Sequence, residues 1–272
     1  MNKGRIFASG DWHGCGKVAK QVLDYLGPND TLYFLGDAID RGRDGLAIFD
    51  ELIADPRVIF IKGNHEAMMA DAIPSIVKDL EERECFDPCA FGYRLWFQNG
   101  GEETAYKFLN MDKTRIYKYR ELINNMPTEV RYSSPAGHTV IMEHAGYTPF
   151  DIPHRSHDPL WDRDHFYDKW GAFMGGKWEK NSEVDKTYLV HGHTPVQYLR
   201  LMYGYDGMEP LTKEERKHKN NWWNSRGLII PEIIRYCSGH KFDIDCCTIV
   251  SRRIALLDLD TFETIYFDEE EN

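Results

Sequence analysis

The sequence predicts an α/β fold, and three observations predict it. Short apolar runs alternate with segments of helical periodicity through the first third of the chain, which makes βαβ units and a parallel sheet. Strand-type runs return after residue 129 and again near the end. Glycine-bearing polar clusters follow several of these runs, where a chain leaving a strand must turn sharply.

The elements follow in order. Arg5–Ser9 is a short apolar run, and Val18, Val22, Leu23 and Leu26 then share one face of a helix. Gly27-Pro28-Asn29-Asp30 ends that helix by turn chemistry. Thr31–Leu35 is a second strand run, and Leu46, Ile48, Phe49, Leu52 and Ile53 form a second helical face. Arg57–Ile61 is a third run, rich in β-branched residues. From about 66 to 125 the pattern is helical, polar and aromatic, with Trp96, Phe97, Tyr106 and Phe108 expected on packing faces. This predicts a helical insertion on the α/β core. Strand runs return at Glu129–Tyr132, His138–Glu143 and Thr187–Val190. A polar, basic stretch of about 203–230, carrying Trp222 and Trp223, reads as a second insertion. Phe242–Val250, Ile254–Leu259 and Glu263–Phe267 predict consecutive strands, with a hairpin turn at Leu259-Asp260-Thr261-Phe262-Glu263. One domain over residues 1–272, with these two insertions, is expected.

Composition narrows the function. The 272 residues are 42% hydrophobic, enough for a sizeable core. No uncharged apolar stretch reaches the roughly eighteen residues a membrane helix needs, so no membrane association is expected. The apolar run after Met1–Arg5 is too short for a signal peptide, and a cytoplasmic location is expected. The net charge of -11 argues against nucleic acid as a partner but leaves room for a local cationic pocket. Asp268-Glu269-Glu270-Glu271 reads as a solvated terminus. Six cysteines without a CxxC pair are expected to be free thiols, and Cys85 and Cys89 lack a matching pair for a metal site. Cys246 and Cys247 read as strand residues facing opposite sides.

The informative feature is where metal-competent residues fall. Asp11-Trp12-His13-Gly14 follows the first strand run, and Gly36-Asp37-Ala38-Ile39-Asp40-Arg41-Gly42 the second. Gly63-Asn64-His65-Glu66 follows the third, and Glu143-His144-Ala145-Gly146 and His191-Gly192-His193-Thr194 follow later ones. Ligands of open α/β sheets bind beyond the carboxyl ends of strands. Each fragment alone is common; five in order, each after an apolar run, are not. A carboxylate can bridge two divalent ions while imidazole and amide oxygen complete each site. Two ions about 3.5–4 Å apart activate a water and clamp phosphoryl oxygens. Arginine suits the remaining phosphate oxygens because its planar fork binds two at once. Arg41 lies in the second motif, and Arg163 in Leu160-Trp161-Asp162-Arg163-Asp164.

This motif set resembles the calcineurin-like metallophosphoesterases, and Asp40-Arg41-Gly42 with Glu66 after Asn64-His65 resembles their phosphoprotein phosphatase branch of bacterial and phage type. The resemblance runs from Asp11 to His193, with weaker support at Asp243-Ile244-Asp245. It implies two mixed β-sheets packed face to face and flanked by helices, with the closing strands in the second sheet. It implies Asp11 and His13 as ligands of one metal, Asp37 as the bridging carboxylate, and Asn64, His144 and His193 as ligands of the second. His65 matches the acid that protonates the leaving oxygen, Asp40 the carboxylate that orients it, and Arg41 and Arg163 the phosphate clamps. His191 remains open between a supporting role and a strand-end hydrogen bond. Pro195 stands where many phosphodiesterases of the superfamily carry the last His of Gly-His-x-His, which favours the phosphatase branch. The implied cofactors are two divalent metal ions, manganese first and iron or zinc as alternatives. The implied substrate is phosphoserine or phosphothreonine in a phosphorylated protein, or a small phosphate ester. The rivals are a diadenosine tetraphosphate hydrolase, another phosphodiesterase, or an inactive metal-binding scaffold.

Overall fold

The computed structural model describes residues 4–82, 85–86, 91–146, 158–163, 186–203, 231–237 and 239–269. The basic stretch of about 203–230, including Trp222 and Trp223, lies almost wholly outside the described residues, as does Cys89.

The amino-terminal third folds as alternating strands and helices: β1 (Ile6–Ser9), α1 (Gly16–Tyr25), β2 (Thr31–Phe34), α2 (Gly45–Ala54) and β3 (Val58–Phe60). Four helices follow, α3 (Asn64–Glu82), α4 (Arg94–Gln98), α5 (Glu102–Phe108) and α6 (Lys113–Asn124). Then come β4 (Glu129–Ser133), β5 (Thr139–Glu143), β6 (Thr187–His191), α7 (Val196–Tyr203), β7 (Ile234–Tyr236), β8 (Lys241–Asp243), α8 (Thr248–Ser251), β9 (Arg253–Asp258) and β10 (Thr264–Asp268).

The strands form two mixed five-stranded sheets, ordered β10-β9-β1-β2-β3 and β4-β5-β6-β8-β7. Ala8, Tyr33, Leu35 and Leu257 of the first sheet pack with Val140, Met142, Val190 and Phe242 of the second in one apolar cluster. The strand period of two sends their neighbours the other way. Phe7, Leu32, Phe34 and Leu256 therefore join Val18, Val22, Phe49, Ile73, Trp96 and Ile123 in a helix-side cluster. Residues of α3–α6 thus share their core with α1 and α2. Among the described residues, no helix is long and apolar enough to cross a membrane.

Several expectations need correction. The closing hairpin does not build the second sheet: β9 pairs antiparallel with β1, Phe7 opposite Asp258, and extends the first. Its Leu256 and Leu257 are buried on opposite faces, which only a strand inside a covered sheet allows. The run Phe242–Val250 is not one strand. Asp243 Oδ1 accepts the Asp245 N–H at 3.1 Å and Asp245 Oδ1 accepts the Cys247 N–H at 2.7 Å, and these successive turns take the backbone out of the ladder. Cys246 and Cys247 are buried, but beyond the strand, with Cys247 left-handed at φ 53°. Tyr106 is exposed at 58%, its ring 6.2 Å from that of Phe86 rather than in the buried core. The acidic end is partly tied down: Arg253 binds Asp268 through two contacts of 2.6 and 2.8 Å, and Lys17 meets Glu269 at 3.1 Å.

Candidate active site

Parallel pairing gathers the carboxyl ends of β1, β2 and β3 at one edge and those of β5 and β6 at another, and the contacts of His144 with Leu35 and of His193 with Asp11 bring the two edges together. Asp11, His13, Asp37, Asp40, Arg41 and His193 all adopt left-handed backbone, with φ between 41° and 72°. That conformation costs a non-glycine residue about 1–3 kcal/mol, and such strain gathers where geometry matters more than stability. Glycines permit the close approaches. A side chain at Gly63 would collide with Asp37 Oδ1, and one at Gly192 with Asp11 Oδ2.

Asp37 is the hub. Its Oδ2 lies 3.6 Å from His13 Nε2 and 3.8 Å from His65 Nε2. Its Oδ1 lies 3.5 Å from His144 Nε2 and accepts the His65 backbone N–H at 3.0 Å. Two groups of possible ligands share it, His13-Asp37-His65 and Asp37-His144-His193. Asn64 Oδ1 sits 2.8 Å from His144 Nε2 and 3.1 Å from His193 Nδ1, closing the second group. Asp11 flanks the site: its Oδ1 accepts the His193 backbone N–H at 3.0 Å. Asp11 Oδ2 and His193 Nε2 are buried without a hydrogen-bond partner among the described residues.

This donor set fits cations. His13 Nδ1 lies 3.0 Å from the Ile39 carbonyl and His144 Nδ1 lies 2.7 Å from the Leu35 carbonyl. A carbonyl only accepts, so each ring carries its proton on Nδ1 and turns an Nε2 lone pair toward Asp37. Lone pair and carboxylate oxygen at 3.5–3.6 Å cannot hydrogen-bond, but both suit metal–ligand bonds of about 2.0–2.2 Å. Burial, then Arg41 and His65, hold His13 well below the usual imidazole range, and burial lowers His144. Both rings are therefore neutral, as ligands must be. Burial raises the Asp37 pKa, but in their protonated forms His144, His65, His13 and His193 outweigh it and keep its carboxyl below the ordinary range. Burial, then Asp245 and Asp37, push Asp11 well up, and burial followed by Asp37 takes Glu66 to about 7. Such crowding of buried carboxylates calls for positive charge.

Beside the hub lies a second arrangement. His65 Nδ1 and Asp40 Oδ2 are 2.6 Å apart. Burial lowers the His65 pKa, but Asp37 and the Asp40 hydrogen bond outweigh it and raise it above the ordinary value. Arg41 forks across the first group, Nη1 donating to His13 Nε2 at 2.7 Å and Nη2 to His65 Nε2 at 3.0 Å. Arg163 sits by the other group: its Nε donates to Thr194 Oγ1 at 3.1 Å, and its charge helps lower His193 and His144 after burial and other causes.

All ten candidate residues named from sequence thus fall in one region. His191 stands apart from both ligand groups. Its Nε2 lies 2.6 Å from the Tyr236 hydroxyl, and burial takes its pKa down to about 3. Three further residues had no assigned role. Glu66 accepts the N–H groups of Asp37, Ala38 and Gly63 at 2.8, 2.9 and 3.1 Å, bracing the loop that carries the hub. The motif contained it, but nothing in the motif aimed it. Trp96 and Thr104 bind Asp40 from the helical segment, where the sequence pattern signalled only packing.

Residues 4–240 match the calcineurin-like phosphoesterase family. Serine/threonine-protein phosphatase 2 of Salmonella typhimurium is 40% identical over 70 residues, 25% of this chain and 32% of that one. The symmetrical bis(5'-nucleosyl)-tetraphosphatase of Burkholderia pseudomallei is 39% identical over 62 residues, 22% of each chain. The matched stretch spans less than a third of either relative. A protein serine/threonine phosphatase of Saccharomyces cerevisiae is similar in structure, with TM-score 0.56 and 11% identity over 99% of this chain and 81% of that one. A crystal structure assigned provisionally as a diadenosine tetraphosphatase gives TM-score 0.55 and 16% identity over 99% and 96%. At these identities the structural likenesses show the fold alone. The match across residues 4–240 shows the family: the chain belongs to the calcineurin-like phosphoesterases.

Proposed function

We propose that the chain is a two-metal phosphatase that hydrolyses phosphate monoesters, with phosphoserine or phosphothreonine in proteins as the leading substrate. The observation that carries this reading is Asp37, whose two oxygens face two separate groups of nitrogen ligands at 3.5–3.6 Å. Asp11, His13 and Asp37 would hold one divalent ion, and Asp37, Asn64, His144 and His193 the other, with manganese assigned first. When bound, such a pair supplies activation of a water and positive charge for the phosphoryl oxygens.

The chain's own residues do the rest. Arg41 and Arg163 flank the two groups and would clamp the phosphate oxygens that the ions leave free. His65, protonated at Nε2, would give that proton to the departing oxygen while Asp40 holds Nδ1–H and steadies the imidazolium. In the neutral ring Nε2 accepts from Arg41 Nη2 at 3.0 Å; protonation ends that contact and frees this arm of the fork for substrate. Pro195 supports a monoesterase, because Gly-His-x-His phosphodiesterases carry a histidine there.

A second reading is hydrolysis of a dinucleoside tetraphosphate, supported by the 39% identity to the Burkholderia tetraphosphatase over its matched stretch. Purified protein with manganese, assayed on p-nitrophenyl phosphate, a phosphopeptide, bis-p-nitrophenyl phosphate and diadenosine tetraphosphate, separates the two. The leading reading expects turnover of the first two substrates with the larger kcat/KM. Turnover of the tetraphosphate with an inert phosphopeptide would establish the second reading instead. Bound metal without turnover of any substrate would establish a scaffold.

A further inference from the structure

We propose that Trp96 and Thr104 are positioning residues for the catalytic acid, so that helices α4 and α5 belong to the catalytic scaffold. The inference rests on the reading of His65 as that acid.

The Asp40 carboxylate is wholly buried, and both its oxygens receive hydrogen bonds from described residues. Oδ2 receives His65 Nδ1–H at 2.6 Å and Trp96 Nε1–H at 2.7 Å. Oδ1 receives the Thr104 hydroxyl at 2.6 Å. The same Thr104 oxygen accepts the Asp40 backbone N–H at 3.1 Å, closing a ring that fixes the carboxylate to its own main chain. A buried carboxylate needs such hydrogen bonds to satisfy its oxygens. An Asp40 carboxylate held in this way keeps the His65 proton on Nδ1 in the neutral ring and aims Nε2 at the Asp37 side of the site.

Packing alone does not ask for these donors. Trp96 is 1% exposed beside Phe97 and Phe108, and Thr104 is 2% exposed. Phe and Val would fill much the same space. The local backbone also serves the site. Gly101 lies against the Trp96 ring, where any side chain would collide with it. Gly100, at φ 93°, turns its carbonyl to accept the Arg41 N–H at 3.0 Å. One short turn thus sets both the Asp40 donor and the main chain of Arg41.

The experiment compares His65→Asn, Trp96→Phe, Thr104→Val and Thr104→Ser on aryl phosphates of graded leaving-group pKa, with bound manganese measured throughout. Trp96→Phe and Thr104→Val are expected to lower kcat on the poorest leaving group at least about tenfold, about 1.4 kcal/mol. The loss should shrink on p-nitrophenyl phosphate, with KM and metal content unchanged, and Thr104→Ser should recover most of it. In an Asp40→Asn background, Trp96→Phe should add no further loss. If His65→Asn itself loses no more on poor leaving groups than on good ones, the acid reading fails. If His65→Asn does and Thr104→Val keeps full kcat, or loses it equally on every ester, the positioning inference is overturned. Should Trp96→Phe not fold, the Thr104→Val and Thr104→Ser pair decides alone.

Discussion

His65 Nδ1 and Asp40 Oδ2 lie 2.6 Å apart, and both side chains are buried. On the proposed reading this contact holds His65 as the acid rather than as a metal ligand. His65→Asn should therefore keep its metals but lose roughly 10²–10⁴-fold in kcat on alkyl phosphates. Steady-state kinetics alongside metal analysis checks this, and loss of metal together with activity would return His65 to the ligand set.

Arg41 and Arg163 approach the site from opposite groups, one across His13 and His65 and the other beside His193. Replacing either with Ala should raise KM or lower kcat on p-nitrophenyl phosphate while bound metal stays constant. Inhibition by inorganic phosphate should weaken in parallel. Loss of metal from Arg41→Ala would mean that its 2.7 Å contact holds His13 in place rather than awaiting phosphate.

Gly192 leaves room that Asp11 occupies, since a Cβ there would collide with Asp11 Oδ2. Gly192→Ala should displace that carboxylate and weaken metal binding without unfolding the sheets. Calorimetric titration with manganese should show a loss at one site of the pair. Unchanged affinity at both sites would place Asp11 outside the ligand set.

Asp30 ties the start of β1 to the turn after α1. It accepts from the Arg5 backbone N–H at 2.8 Å, from Arg5 Nε and Nη2 at 3.1 and 2.6 Å, and from the Gly27 N–H at 2.9 Å. Burial raises its pKa, but the Arg5 and Gly27 hydrogen bonds outweigh it and bring it below the ordinary value. A depressed carboxyl stabilises the fold above its unfolded pKa of about 3.9 and loses that contribution as pH falls through the folded value. Asp30→Asn should cost about 1–3 kcal/mol near pH 7. The gap from wild type should close in denaturation curves taken well below pH 3.9, and a constant gap would assign the effect to shape rather than charge.

Much of the site was legible because its candidate ligands sit in short motifs at strand ends, where a short apolar run locates the strand and the next residues form the turn. Asp37, Asn64 and His144 could be placed that way from sequence. Trp96 and Thr104 could not, because helical periodicity marks a buried face but says nothing about where a buried N–H or O–H points. The β9–β10 hairpin was legible as a hairpin, from Leu259-Asp260-Thr261-Phe262-Glu263. Its sheet was not, because the pairing between β1 and β9 spans nearly the whole chain and leaves no local signal. The turn that ends β8 was hidden because Asp243 and Asp245 redirect the backbone inside a run whose apolar residues continue to Val250.

Metal stoichiometry tests the two-metal reading most directly. Chain stripped with a chelator and titrated with manganese should take up two ions, and p-nitrophenyl phosphate turnover should reach its full value only when the second is bound. Asp37→Asn should weaken both sites at once, because one carboxylate serves both groups. Saturation of binding and turnover by a single ion, or retention of both ions by Asp37→Asn, would contradict the bridged pair.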